Sequence, residues 1–325
     1  MKSKQAWTEA QLESFEDLTP TVREFRLRPE GGVLPQAPGS HLQLEVQIKG
    51  RPQIRSYSLV GEPDGLTYRI AVKRLDQGRG GSLAMWRLPL GARLRVSAPQ
   101  NHFPLDFSAP AYLLVAGGIG ITPLVRMAHA LAARSLAGGP LIRLLYGVRS
   151  ADELAFLVQL KAQLGERLHT VVGAAMDLAA DIAALPAGGQ MYVCGPSPML
   201  QAARSAWLAS GRPAADLRYE TFGSSGAIAP QAFQVLIPRH GLNITVPADA
   251  TLLEALEQAG IKQVYDCLRG ECGLCTLDVL ALEGAIDHRD VFLSEHVKQQ
   301  NSRLCACVSR VTGSVILDSA WRADA

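Results

Sequence analysis

Apolar and polar residues alternate along Val22–Leu27, His41–Val46 and Thr67–Val72, the period of two that a strand with one buried face requires. Pro35, Pro38-Gly39, Gly50, Gly65 and Gly91 punctuate these runs, and short strands between turn residues predict an antiparallel β-barrel over residues 1–106. The pattern then changes. Ala111–Ala116 is a continuous apolar run, as in a parallel strand covered on both faces. Glycine-rich Gly117–Leu124 follows and opens a helix to about Arg134. Further strands are predicted at Leu141–Gly147, Leu168–Gly173 and Met191–Cys194. A helix over Asp152–Leu164 sets Leu154, Leu157, Val158 and Leu164 on one side, and another helix follows Gly195-Pro196-Ser197-Pro198. Strands alternating with helices predict an α/β nucleotide-binding domain over 107–223, with ligands at the strand C-termini. The small residues of Ser224–Pro230 read as a tether, a linker over 224–231. Beyond it Phe233–Ile237 and Leu242–Val246 form a hairpin around His240-Gly241, and Asp249-Ala250-Thr251 caps a helix to about Gln258, with Gly260 just past its end. Hairpin, helix and the loop that follows make a compact β-grasp domain over 232–325. The fold class is thus multidomain.

Length and charge narrow the function classes. With 325 residues, two or three domains are expected, and 48 % apolar content suffices for their cores. A net charge of +2 without any basic block argues against nucleic acid as a partner. Charges scattered through Met1–Leu18 leave no apolar signal-peptide core, and Ala111–Val125 is too short to span a bilayer. Five of the six cysteines fall within Cys267–Cys307, which suits metal ligation in a reduced cytoplasm rather than a disulfide framework.

That cysteine cluster carries the sharpest chemistry. Cys267, Cys272 and Cys275 read C-x₄-C-x₂-C, the first three ligands of a plant-type [2Fe–2S] cluster, with a fourth cysteine expected well downstream. Gly270 and Gly273 fall where a wrapped loop needs positive φ and room for amides to approach the sulfurs. A zinc knuckle or structural thiols are the plainer alternatives, but zinc sites tend to pair two similar hooks. Plant-type spacing puts the fourth ligand at Cys305, after 29 residues, with Cys307 close behind. Elsewhere, Arg55-Ser56-Tyr57-Ser58 places a cation and an aromatic ring on one face of a strand. Gly78–Ser82, before a helix predicted at Leu83–Arg87, suits an anion. Each alone is also what an ordinary strand and turn would show. Gly117–Thr122 resembles a dinucleotide fingerprint, although Pro123 stands where a third glycine belongs. Cys194, at a strand end, is either a site residue or a small buried hydrophobe. The seven histidines are scattered, and no Ser-His-Asp arrangement is visible.

Taken in order, Arg55-x-Tyr57-Ser58, Gly80-Gly81-Ser82, Gly118–Pro123, Cys194-Gly195-Pro196, Glu220–Gly223 and the C-terminal cysteines resemble one family. It is that of phthalate dioxygenase reductase and vanillate demethylase reductase, within the ferredoxin-NADP reductase-like superfamily. The resemblance implies FMN held by Arg55, Lys73 and the Gly80-Gly81-Ser82 loop, with Tyr57 along the isoalloxazine and Ser58 near its N5. It implies that Thr122 and Phe222 close on the ring and that Gly118, Gly120, Cys194 and Gly195 line the nicotinamide nucleotide site. Ser58, Thr122, Cys194 and Phe222 are then the residues nearest the reacting atoms, acting as positioning groups rather than nucleophiles. NADH is expected over NADPH, because Asp152 and Glu153 oppose a 2′-phosphate near Arg149-Ser150. The implied function is a monomeric, cytoplasmic reductase that passes electrons from NADH through FMN and [2Fe–2S] to a Rieske-type terminal oxygenase. A reductase for a cytochrome P450, a broad acceptor reductase and a redox-sensing binding protein are the other readings. Because the family follows its fourth ligand with Val-Ser-Arg, and two extra residues are read around Leu280–Leu282, the resemblance moves that ligand to Cys307. A strand through Leu304–Val308 would then turn Cys305 and Cys307 to the same side.

Overall fold

The computed structural model describes residues 6–76, 78–136, 138–222, 228–229 and 231–319. They form two compact units, Met1–Glu220 and Thr221–Ala325. The first unit opens with β1 (Trp7–Thr19), β2 (Val22–Pro29), β3 (His41–Ile48), β4 (Arg51–Ser58), β5 (Tyr68–Lys73), α1 (Gly81–Trp86) and β6 (Arg93–Ser97). The strands pair antiparallel in the order β4-β3-β6-β1-β2-β5. A bridge from Leu59 to Ile70 joins the two edges and closes the barrel. Alternation explains the interior: Phe25, Leu27, Leu42, Leu44, Ile70 and Val96 point inward and are buried. Strand β1 escapes a pattern search because only Ala10, Leu12 and Thr19 of its thirteen residues are buried.

The same unit continues as β7 (Ala111–Gly117), α2 (Ile121–Leu136), β8 (Leu141–Val148), α3 (Leu157–Leu164), β9 (Leu168–Val172), α4 (Ala179–Ala184), β10 (Gln190–Cys194), α5 (Ser197–Ala209) and β11 (Leu217–Glu220). The sheet is wholly parallel, ordered β11-β10-β7-β8-β9, and every residue of β7 is buried. Chain order reverses between β7 and β10, so the ligand crevice of an open α/β sheet falls at their C-terminal ends. The helix expected from Asp152 starts only at Leu157. A 3₁₀ turn at Ala151–Glu153 and a left-handed Phe156 (φ 61°) reset its phase. Leu160 and Leu164 are therefore buried, while Val158 is 85 % exposed. Buried Arg126 on α2 donates to the Gln36 carbonyl (2.9 Å) and to Gln36 Oε1 (3.0 Å), fastening this sheet to a loop of the barrel. Among the described residues no helix is long and apolar enough to cross a membrane.

The second unit contains β12 (Phe233–Ile237), β13 (Leu242–Val246), α6 (Leu252–Gln258), β14 (Thr276–Asp287), α7 (Glu295–Gln299), β15 (Arg303–Cys305) and β16 (Arg310–Asp318), ordered β13-β12-β16-β14-β15. The hairpin falls on its expected residues. Thr251 and Glu254 form a reciprocal capping box at the start of α6, worth about 1 kcal/mol. Around the region read as carrying extra residues, β14 bulges: pairing with β16 shifts between Val279 and Ala281, and Leu280 is left 60 % exposed. The strand expected through Leu304–Val308 ends at Cys305, and Ala306–Val308 turn. Ser309 N–H and Val308 N–H both close on the Cys305 carbonyl, which leaves no extended backbone there. Residues 224–227 and 230 of the proposed tether, and Gly223 before it, lie outside the described residues. Ile228 is held by Asp287 and Arg289.

Candidate redox sites

In the loop Cys267–Cys275, three residues adopt left-handed backbone: Leu268 (φ 56°), Gly270 (φ 75°) and Gly273 (φ 73°). Neither glycine has room for a side chain. A Cβ on Gly270 would sit 2.8 Å from Asp290 Cα, and one on Gly273 2.2 Å from the Phe292 ring. The wrapping aims amides at sulfur: Arg269, Glu271 and Cys272 N–H donate to Cys267 Sγ at 3.4, 3.3 and 3.4 Å. Cys275 Sγ and Cys307 Sγ are 3.2 Å apart. The Cys272 and Cys307 thiols, then the loop amides, hold Cys267 well below the usual thiol range. Cys305 and Cys307 hold Cys275 down at about 4. Cys307 thus interacts closely with both Cys267 and Cys275, whereas Cys305 acts chiefly on Cys275 and only as a distant charge on Cys267. Four soft thiols and convergent N–H groups are the donor set a [2Fe–2S] cluster takes.

Sequence reasoning missed the charged residues around this loop. Arg269 is 4 % exposed, pairs with Glu271 at 3.2 Å and belongs to the same turn. Glu271 Oε1 also accepts from Thr221 N–H (2.9 Å). Asp290 caps Leu293 N–H (2.9 Å), and Val291 N–H returns to the Gly270 carbonyl (3.0 Å). A buried charge needs such partners, so charged residues between the cysteines of an apolar loop were the available signal.

On the barrel, β4 carries Arg55, Tyr57 and Ser58. The Arg55 side chain crosses the start of α1, with its Nε 2.7 Å from where a Gly81 Cβ would stand. It donates to the Ile54 carbonyl (2.8 Å) and to Gln53 Oε1. Gly80 is left-handed (φ 84°), and the Ser82 hydroxyl accepts from Leu75 N–H (3.0 Å). Ser58 Oγ is buried without a hydrogen-bond partner among the described residues. A buried orphan hydroxyl on the strand whose Arg55 crosses the glycine turn fits a flavin with its phosphate. Burial pushes the Tyr57 phenol up to about 12, with Arg55 opposing, so the ring is neutral at working pH. Lys73 is not brought to the glycine turn by any described bond; its ammonium pairs with Glu153 at 3.2 Å.

At the sheet crevice, glycines let the loops after β7 and β10 touch. A Cβ on Gly120 would stand 2.1 Å from the Cys194 carbonyl oxygen, and one on Gly117 2.7 Å from Pro196 Cδ. Gly118 (φ 53°) has open space, Gly195 is half-buried and Cys194 fully buried. Thr122 donates its hydroxyl to the Ile119 carbonyl (2.9 Å). Phe222, half-buried, belongs to the second unit. Ser150 donates to Asp152, beside exposed Arg149. Gly120→Ala must move backbone, which costs about 1–3 kcal/mol in a packed site; a lowered melting temperature with a raised KM for NADH is the expected pair of results.

Residues 9–104 match the oxidoreductase FAD-binding domain family, and residues 236–312 the 2Fe-2S iron-sulfur cluster binding domain family. The heme-dependent oxidative N-demethylase beta subunit of Ectopseudomonas mendocina (strain ymp) is 37 % identical over 95 % of this chain and 97 % of its own length. The phenoxybenzoate dioxygenase subunit beta of Ectopseudomonas oleovorans is 38 % identical over 88 % of each. Among solved structures, phthalate dioxygenase reductase, described as modular for electron transfer from pyridine nucleotides to [2Fe–2S], superposes with a TM-score of 0.78 at 29 % identity, covering 97 % of this chain and 98 % of that one.

A flavin barrel, a nucleotide-type parallel sheet and a four-thiol β-grasp unit on one chain define an electron-transfer oxidoreductase. The chain belongs to the phthalate dioxygenase reductase family. The flavin of that family is FMN, NADH binds there, and the chain pairs a flavin domain with a [2Fe–2S] domain.

Proposed function

We propose that this chain is the NADH-dependent reductase component of a two-component Rieske-type aromatic oxygenase or demethylase, working as a cytoplasmic monomer. The observation that carries the reading is the juxtaposition of Cys267, Cys275 and Cys307 on a chain that also holds the Arg55–Gly81–Ser58 site. FMN, when bound, converts the two-electron hydride of NADH into the single electrons an iron–sulfur cluster accepts. The residues supply position rather than acid–base chemistry. Arg55 and the Gly80–Ser82 turn hold the phosphate. Tyr57 would pack against the flavin, and Ser58 would offer its hydroxyl to it. Gly118, Gly120 and Gly195 would let the nucleotide approach backbone, and Cys194, Thr122 and Phe222 would bound the nicotinamide, as the family resemblance implies. Cys267, Cys272, Cys275 and Cys307 ligate the cluster. Lys73, paired with Glu153, contributes charge near the flavin site.

One relative favours a second reading. Because a heme-dependent demethylase subunit is similar over nearly the full length, the acceptor could instead be a haem oxygenase. Anaerobic titration with NADH tests the chain itself: flavin and cluster should bleach together, with NADPH much less effective. Mixing the reduced protein with a Rieske oxygenase or a haem oxygenase from the same genome then decides the acceptor. Arg55→Ala removes a charge-assisted phosphate bond of about 1.5–3 kcal/mol, roughly 10- to 150-fold in flavin affinity. Flavin released by heat from the native protein should run as FMN on a column, and unchanged flavin content in the variant would place the phosphate elsewhere.

A further inference from the structure

Helix α2 begins at the loop that would bound the nicotinamide, and Arg126 stands one turn after Thr122 on the same face. Arg126 is 5 % exposed. Its guanidinium donates to the Gln36 carbonyl (2.9 Å), to Gln36 Oε1 (3.0 Å) and to the Ala37 carbonyl (3.5 Å), all on one loop of the barrel. Burying a guanidinium is costly, and an apolar side chain would join two packed elements more cheaply. What the rigid fork of donors adds is a fixed place for the loop it grips. From that loop two hydrogen bonds lead to the flavin strand. The Ala37 carbonyl also accepts from Ser40 N–H (3.1 Å), and the Ser40 carbonyl accepts from Leu59 N–H (2.8 Å). Leu59 follows Ser58, the last residue of β4, and Ser58 pairs with His41, which follows Ser40. The loop is packed as well as bonded: Asn101 Nδ2 donates to the Pro38 carbonyl (3.0 Å), and a Cβ on Gly39 would stand 2.9 Å from Cε of Met127, the neighbour of Arg126.

We propose that Arg126 is a positioning residue for hydride transfer, which sets the distance between the nicotinamide loop at the start of α2 and the flavin strand β4 by gripping the Gln36-Ala37 loop between them. The inference rests on the flavin and nicotinamide sites proposed above. The hydride carries both electrons from nicotinamide to flavin, and its transfer tolerates little error. Near-attack geometry holds reacting atoms about 3–3.5 Å apart, and a misplacement of about 1 Å can cost about 10²-fold in rate. Arg126 acts on the reaction through the helix and the loop. Its loss should therefore slow the transfer without loosening the hold on either ligand.

The test uses the full-length holoprotein with Arg126→Met, which keeps length without a donor, and Arg126→Lys, which keeps charge but not the fork. Flavin content is measured first, then anaerobic flavin reduction by NADH in stopped flow. A third readout needs no turnover: the long-wavelength charge-transfer absorbance when NAD⁺ is added to protein reduced with dithionite. The methionine variant, loaded with flavin, should show a limiting reduction rate about 10- to 100-fold below native and a weakened charge-transfer band. Its half-saturating NADH concentration should stay within about twofold of native, and lysine should recover part of the rate and of the band. A flavin-loaded methionine variant that is reduced at the native rate overturns the inference. So does a raised half-saturating concentration at an unchanged limiting rate, which would make Arg126 a determinant of binding alone. Where the methionine variant fails to fold, the lysine variant decides: a slowed rate with a weakened band supports the inference, and native values for both overturn it. Failure of NADH to reduce the flavin of the native protein would instead sink the underlying reading, and the inference with it.

Discussion

Cys307→Ser is expected to empty the iron–sulfur site: iron and sulfide should fall to background and the visible cluster absorption should vanish, while FMN remains. Cys305→Ser should keep its cluster. Spacing alone favours Cys305, which follows Cys275 after 29 residues. The fold alters that count in two ways. The bulge at Leu280 takes up chain inside β14 without lengthening the paired strand. The turn at 306–308 then carries Cys307 back until its sulfur is 3.2 Å from Cys275. An extended strand would separate alternate residues by about 6–7 Å, too far for either cysteine to replace the other. The turn removes that separation and brings Cys307 to Cys275. What distinguishes them is Cys267: the Cys307 thiol is among its strongest neighbours, whereas Cys305 senses it only as a more distant charge. A ligand to a two-iron cluster must converge with the other ligands, and Cys307 does. The opposite result, with Cys307→Ser loaded and Cys305→Ser empty, would reverse the assignment.

Elements whose side chains alternate or repeat were legible. Strand β7 announced itself by an unbroken apolar run, and the β12–β13 hairpin and the Thr251 cap fell on their expected residues because local chemistry decides them. Elements stabilised by distant partners were not. Strand β11 is four residues long with a single buried side chain, and parallel pairing to β10 makes it a strand. The late start of α3 depends on left-handed backbone at Phe156, a residue with no intrinsic preference for it. For the site, glycines and cysteines were readable because their geometry is demanded by chemistry. The Glu271 bond to Thr221 spans fifty positions of sequence, and no spacing rule reaches that far. Lys73 illustrates the converse: family resemblance placed it with the flavin, and the fold gives it a carboxylate partner on the 3₁₀ turn after β8.

A chain ending after Gly223 should keep FMN and reduce dyes with NADH at near-native rate, yet deliver no electrons to an oxygenase. The first unit, Met1–Glu220, contains the whole closed barrel and all five strands of the parallel sheet. Its interior residues, from Leu12 and Phe25 in the barrel to Leu114 and Val193 in the sheet, are buried. The second unit closes a separate core around Val235, Leu256, Leu304 and Val315. Units that bury their own apolar surface can fold independently. The cut does cost Thr221 its Glu271 acceptor, because that carboxylate leaves with the cluster loop. The segment next to Phe222 then has one bond fewer, and if Phe222 bounds the nicotinamide, KM for NADH should rise more than kcat falls. Flavin content, dye-reduction kinetics and oxygenase turnover on the truncated protein measure the three consequences separately. Loss of FMN or precipitation would show that the flavin unit depends on the cluster unit for its stability, and an unchanged KM would remove Phe222 from the nucleotide site.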